Sequence, residues 1–242
     1  MRLFGPLGVH ARIRNGRVVK AILSLDLPQK ARILDAGCGH AYASFWLAQR
    51  FPKWQIEGLE SDHTLITDNR QIAAETHLQN LRFVEDQATR FDTAIPYHLI
   101  YSIDLLEHIP DDINLLENFR QMLSPNGKLL LHLPRRHQEH KRIFPAFHRH
   151  TTPEHVRDEY TETEIREKLR KTGFEVEYLR YGFSWRGELA FELNNLFWEH
   201  SWLRVALALA FHPLSIWLGY LDTRRDYEDG NSLLILAKKA VK

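Results

Sequence analysis

The chain has 242 residues, with 32 Lys and Arg against 31 Asp and Glu, a formal net charge of +1. That near balance argues against a duplex nucleic-acid binder, which carries a strongly basic surplus, and 44% hydrophobic residues exclude disorder as the main state. A lone cysteine, Cys38, excludes an internal disulfide and with it a secreted disulfide scaffold. The opening MRLFGPLGVHARIRNGR lacks an apolar run leading to a small-residue cleavage site, so the cytoplasm is the expected compartment.

Residues 1–30 are basic, with Arg2, Arg12, Arg14, Arg17, Lys20 and Lys30 against Asp26. Val9, Ile13, Val18, Val19, Ile22 and Leu23 can share one face, which predicts an amphipathic helix ending near Leu25, before Pro28. The rest, 31–242, is read as one domain in which strands and helices alternate. ARILDAG, WQIEGLE, LRFVED, YHLIYSID and KLLLHLP are the first five strands, with Pro125-Asn126-Gly127 as a turn before the fifth. Asp111 is the expected N-cap of a helix with Leu115, Leu116, Phe119 and Met122 as its stripe, and Thr161 and Glu164 have capping-box spacing. FEVEYLRY and SLLILAKKA supply two last strands. Strands separated by helices predict an α/β fold with a doubly wound, mostly parallel sheet.

Residues 184–229 interrupt this rhythm as an aromatic, helical insertion before the last strand, with Trp185, Trp198, Trp202 and Trp217. The uninterrupted apolar run, Val205 to Phe211, is far short of the roughly 20 residues of a membrane span. Phe191, Leu193, Leu196, Phe197, Trp198 and Trp202 nonetheless offer more apolar surface than a strand connection needs. The domain itself, a second subunit, an acceptor or lipid must cover it, so a lid, a homodimer surface or a peripheral membrane contact is expected there.

Leu34-Asp35-Ala36-Gly37-Cys38-Gly39-His40-Ala41 links the first strand to the first helix of this domain. Two glycines let the backbone come close to a ligand at a helix N-terminus. Tyr42 occupies the place of the third glycine of a dinucleotide fingerprint, and the Gly-Lys-Ser/Thr of a P-loop is absent, so the loop suits a nucleoside-like ligand. Glu60 and Asp86 end the second and third strands, where open α/β sheets bind ligands.

These residues resemble the class I S-adenosylmethionine-dependent methyltransferases over about Ala31 to Pro134. ILDAGCG is similar to the family's first motif, while SIDLLEHIPDD and LSPNGKLLLHLP are similar to segments of its ubiquinone/menaquinone-type branch. The resemblance implies a Rossmann-like seven-stranded sheet with an antiparallel last strand, and S-adenosylmethionine as cofactor. It implies Glu60 as the ribose acid, Asp86 as the adenine-side acid, and a cofactor site of Asp35, Gly37, Cys38, Gly39, Glu60, Ser61, Asp86, Gln87, Ile103 and Asp104. Tyr97-His98 stands where the family often has Phe-Asp.

Methyl transfer needs alignment, and a base if the acceptor carries a proton. His108, His132 and His137 are the candidate catalytic bases, with Glu107 beside them. Asp104, Glu107 and His108 could instead converge on a metal ion with His132 or His137; the alternative, adopted here, is a common helix-start sequence and no metal. The segment from Arg135 to Arg157, with His137, His140, His148, His150 and His155, reads as a solvated basic loop or as a site for a phosphate or carboxylate; zinc ranks last for want of cysteine partners. The expected function is methyl transfer to an oxygen of a small or medium-sized, anionic and partly apolar or lipid-like acceptor. Its rivals are a divalent-metal-assisted O-methyltransferase and a scaffold that binds the cofactor without catalysis; no nucleic-acid partner is expected.

Overall fold

The computed structural model describes residues 8–136, 142–144, 156, 159–196 and 202–240, with Leu196 and residues 202–209 described by backbone alone. Seven strands form one sheet in the order β3-β2-β1-β4-β5-β7-β6. They are β1 (Arg32–Ala36), β2 (Gln55–Glu60), β3 (Leu81–Glu85), β4 (Tyr97–Ile103), β5 (Leu123–Pro134), β6 (Phe174–Gly182) and β7 (Ser232–Lys239). β1 to β5 run parallel, and β7 is antiparallel to both neighbours, β5 and β6. The chain reverses direction across the sheet between β1 and β4, and that crevice at the carboxyl ends of the strands is where such sheets bind ligands.

The helices are α1 (Val9–Leu23), α2 (Tyr42–Arg50), α3 (His63–Glu75), α4 (Asp112–Met122), α5 (Glu162–Lys171), α6 (Trp185–Leu196) and α7 (Trp202–Arg224). Their starts follow local chemistry. The Asp62 carboxylate accepts from the Thr64 and Leu65 amides at α3, Asp111 accepts from the Asn114 amide at α4, and Thr161 with Glu164 closes a capping box at α5. One face of the sheet packs on α4 and α5 through Leu115, Phe119, Ile165 and Leu169. The other packs on α1, α2 and α3 through Val18, Ile22, Leu47 and Ile66.

Three sequence expectations change. The Pro125-Asn126-Gly127 turn lies inside β5 as a bulge: Tyr97 pairs with Leu123, but Leu99 pairs with Lys128. On α1, Val9 and Ile13 form a third apolar cluster with Phe183 and with Ala190 and Leu218 of the insertion. Its exposed end is Leu23, while Arg17 is buried in its place. Within the insertion, Phe191 and Leu193 pack against that third cluster. The large exposed apolar side chains are instead Trp185, Phe211, Leu214, Trp217 and Tyr220. Trp198 lies outside the described residues, as does the Trp202 side chain.

A buried ion pair ties α1 to this insertion. Arg17 donates to Asp222 Oδ2 through Nη2 at 2.9 Å, with both side chains at most 2% exposed. Asp222 Oδ1 also accepts from the Ser184 amide at 3.0 Å, the Ser184 hydroxyl at 2.5 Å and the Gly187 amide at 3.3 Å, so one carboxylate caps α6 from α7. Gly187 is required here: a Cβ would lie 2.9 Å from Asp222 Cγ.

Candidate active site

The loop after β1 turns on two glycines with positive φ, Gly37 at 70° and Gly39 at 51°. The Gly37 and Cys38 amides donate to the Leu59 carbonyl at 2.8 and 2.9 Å, which seats the loop on the end of β2. The Gly39 amide donates to Glu60 Oε2 at 3.0 Å, and the Ser61 and Asp62 amides donate to Oε1 at 2.7 and 3.1 Å. Three amides thus fix Glu60 in place at the loop. The Asp86 amide donates to the Glu60 carbonyl at 3.1 Å, bringing the third strand's acid alongside. Asp86 takes the Gln87 amide and Arg90 Nε on Oδ1, both at 2.7 Å, and these bonds, Arg90 first, hold its carboxyl below the ordinary range.

A Cβ placed on Gly39 meets no atom within 4 Å, so the loop leaves open the space a side chain would fill. Glycine cradle, fixed Glu60 and adjacent Asp86 together fit a nucleoside with ribose hydroxyls and an adenine amino group. Ser61 and Gln87 are exposed beside them and Ile103 is half-buried at the end of β4. Cys38 is half-buried, and desolvation followed by the charges of Asp35 and Glu60 pushes its thiol up, so it stays protonated.

Asp35 lies behind the loop. It is 3% exposed, and its Oδ2 accepts from the Ser44 and Tyr101 hydroxyls at 2.7 and 2.8 Å. Desolvation pushes its carboxyl up to about 7 against the pull of those two bonds.

Across the crevice, Asp104 follows β4 with φ at 52°, and its amide donates to the His132 carbonyl at 3.0 Å. His132 on β5 sets Nδ1 2.7 Å from Asp104 Oδ1, while Arg14 on α1 donates to Asp104 Oδ2 at 2.6 Å. Burial alone would raise the Asp104 carboxyl; His132 and Arg14 outweigh it and hold it well below its ordinary range. With Asp104 ionised, His132 Nδ1 is the donor of this pair. Its Nε2 is buried and has no hydrogen-bond partner among the described residues.

His10, one turn before Arg14, is exposed. Its ring sits 4.8 Å from Phe183 and 5.3 Å from Phe191. Desolvation, then the Arg14 cation, lower its pKa, so the imidazole is neutral at physiological pH. On α6, Glu188 pairs with Arg142, and Glu192 accepts from the Ile143 and Phe144 amides at 2.9 and 2.6 Å. Desolvation pushes Glu188 up to about 7 despite Arg142 and Asn231.

The remaining sequence candidates separate. His108 is exposed on a 3-10 turn, Leu106–His108. Glu107 is fully buried with both carboxylate oxygens unpartnered, and desolvation, then Asp104, push it well above the ordinary range. Asp104 accepts from His132 on one oxygen and from Arg14 on the other. Among the described residues no group of three or more His, Cys, Asp and Glu is arranged to hold a metal ion. His137, His140, His148, His150 and His155 fall outside the described residues. Arg135 and Arg136, at the start of that basic loop, each face a carboxylate, Asp229 and Glu164.

A family model described as a methyltransferase domain matches residues 10–179, from α1 into β6. The chain belongs to the class I S-adenosylmethionine-dependent methyltransferases. The matches do not single out the ubiquinone-type branch. A trans-aconitate 2-methyltransferase of Azoarcus sp. (strain BH72) is 27% identical over 128 residues, 53% of this chain and 48% of that protein. The chain thus matches about half the length of this curated relative. A candidate sarcosine dimethylglycine methyltransferase of Galdieria sulphuraria superposes with a TM-score of 0.66 at 16% identity, covering 95% of this chain and 87% of that one. The cyclase SpnF superposes at 0.65 with 18% identity, covering 94% and 82%. At such identities the structural likeness shows the fold alone. The cofactor of this methyltransferase is S-adenosylmethionine.

Sequence reading missed His10, Arg14, Glu188 and Glu192. A signal for the first two exists: His10, Arg14 and Arg17 recur at helical spacing as a polar stripe beside Val9 and Ile13. Nothing in the spacing links position 14 to position 104.

Proposed function

We propose that this methyltransferase transfers a methyl group to a hydroxyl oxygen of a small or medium-sized acceptor, with His132 as general base. Bound S-adenosylmethionine supplies an electrophilic methyl on a sulfonium. Gly37, Gly39, Glu60 and Asp86 hold its nucleoside, and Asp35 shapes the loop from behind rather than touching the cofactor. His132 Nε2 takes the acceptor's proton as its oxygen forms the new bond to carbon and the carbon–sulfur bond electrons pass to sulfur. Asp104 keeps the imidazole in the required tautomer and stabilises the imidazolium that results.

The observation that carries this reading is the buried, unpartnered His132 Nε2 opposite an Nδ1 held 2.7 Å from Asp104. The trans-aconitate of the relative's name favours an anionic group on the acceptor. The His10, Phe183 and Phe191 rings favour an apolar part. The test is turnover from labelled cofactor in a cell extract with parent and His132→Gln protein. His132→Gln is expected to lower kcat by about 10²–10⁴-fold and leave cofactor affinity unchanged. Undiminished turnover removes His132 as the base. No transfer to any acceptor by the parent favours a cofactor-binding scaffold, a reading open to a fold that a cyclase also uses.

A further inference from the structure

We propose that Glu107 binds the acceptor: its carboxyl group receives the carboxylate of a hydroxy acid whose hydroxyl meets His132. The inference rests on the crevice being an acceptor site, as proposed above, and names what that acceptor carries. Glu107 is 0% exposed, and neither carboxylate oxygen has a hydrogen-bond partner among the described residues. Asp35, Glu57, Asp112, Glu188, Glu192 and Asp222 are buried as deeply, and all accept hydrogen bonds from side chains or amides. An apolar side chain of similar size would fill the place of Glu107 without leaving a polar group unserved. His132 Nε2 is a buried orphan too, and Asp104 links the pair: it sits 2.7 Å from His132 Nδ1 and three residues before Glu107.

Position and charge select the ligand. Leu105, between Asp104 and the 3-10 turn, lies against the glycine loop: a Cβ on Gly37 would sit 2.8 Å from Leu105 Cδ1. The segment 104–107 therefore touches the glycine loop through Leu105 and the base through Asp104, and an acceptor oxygen must lie between methyl group and base. Glu107 has no cation of its own, and without exposure an isolated carboxylate costs far more than the neutral acid. Desolvation, then Asp104, keep the proton on it; Glu159 adds to this, and its own amide and Arg14 are outweighed. A neutral acid offers an O–H, and a carboxylate oxygen is its strongest partner because the bond is charge-assisted. The Arg14 cation, which pairs with Asp104 and acts on Glu107, disfavours an ammonium there. A phosphate would bring about twice the negative charge of a carboxylate beside ionised Asp104.

The test supplies labelled cofactor and metabolite pools separated from a cell extract by ion exchange. Transfer by the parent is expected in the anionic pool and should survive phosphatase treatment of that pool. Glu107→Leu should need about 10–100-fold more of the pool for half-maximal transfer, the scale of a lost hydrogen bond to a charged group. Its maximal rate and its affinity for the cofactor's demethylated product should be kept. Glu107→Gln, whose amide still donates, should stay within about fivefold of the parent. Without any substrate, Glu107→Leu should melt no lower than the parent, since it removes an unpartnered buried group. Unchanged half-saturation in Glu107→Leu overturns the proposal, as do transfer confined to the cationic pool, phosphatase-sensitive transfer, weakened product binding or a lower melting temperature. Absence of any transfer by the parent overturns the acceptor reading and this inference together, whereas undiminished turnover in His132→Gln removes the base alone.

Discussion

Two carboxylates flanking the glycine loop have opposite surroundings, and their variants should part accordingly. Glu60 accepts three backbone amides at the mouth of the crevice, so Glu60→Ala is expected to weaken S-adenosylmethionine binding by about 1–3 kcal/mol, the scale of a hydrogen bond to a charged group. Calorimetry with the cofactor's demethylated product checks this. Asp35 is buried, and its raised pKa, about 7, is a statement about stability. The folded state holds the proton more tightly than the unfolded one. Its contribution is therefore complete below the unfolded value near 4 and is lost as pH rises through about 7. Asp35→Asn keeps an oxygen for the Ser44 and Tyr101 hydroxyls but cannot ionise. It should match the parent near pH 4 and exceed it by a few kcal/mol near pH 8. Glu188, also raised to about 7, adds a parallel slope to both proteins and cancels in their difference. Denaturant melts at the two pH values decide it; equal slopes for parent and variant count against a proton on Asp35.

Arg14 makes a subtler prediction. It touches Asp104, the partner of His132, so its part is positioning. Arg14→Gln removes a cation beside the imidazole and its carboxylate, with His10 and Arg142 also close by. Removing positive charge stabilises the imidazolium, so the acidic limb of the kcat profile should move to higher pH. Cofactor affinity should be unchanged. For the metal question, exhaustive chelation with EDTA is expected to leave turnover intact, as the engagement of both Asp104 oxygens suggests; loss of activity restored by magnesium would reverse that reading.

Among the elements, α1, α6 and α7 behave as one cap pinned by Asp222. Removing that carboxylate strands Arg17 in the interior and uncaps α6, so Asp222→Ala should destabilise the protein by about 3–5 kcal/mol. Limited proteolysis should then cut within α6 and α7 before it cuts the strands. Legibility from sequence divides along the same line. The alternation of strands and helices, the Thr161 capping box and the acids closing β2 and β3 are local patterns, readable from neighbours two to four positions apart. The meeting of Arg14 with Asp104, or Arg17 with Asp222, depends on the third dimension. The insertion was legible as apolar helix but not in its orientation, because a helix apolar all round gives no periodic sign of which side faces in. Hence Phe191 and Leu193, expected to need outside cover, are packed within the domain, and the exposed stripe lies on α7.

For the molecule as a whole, the sheet order places the last strand of the chain in the interior, with β7 between β5 and β6. Among the described residues β6 has no other strand as neighbour. A chain ended after Gly230 would therefore lose two strands rather than one, and should express as insoluble protein lacking a cooperative melt. The same geometry sets an order for biogenesis. During synthesis β6 is complete at Gly182, but its partner ends only at Lys239. At about 5–20 residues per second, those intervening residues take roughly 3–11 s to appear. Throughout that interval the nascent chain presents the free edge of β5 and an orphan β6 to its surroundings, together with both apolar helices of the cap. Chaperone demand should therefore peak while residues 183–239 are being translated, and a pause placed between the codons for α7 and β7 should cost more folded protein than one placed anywhere between β1 and β6.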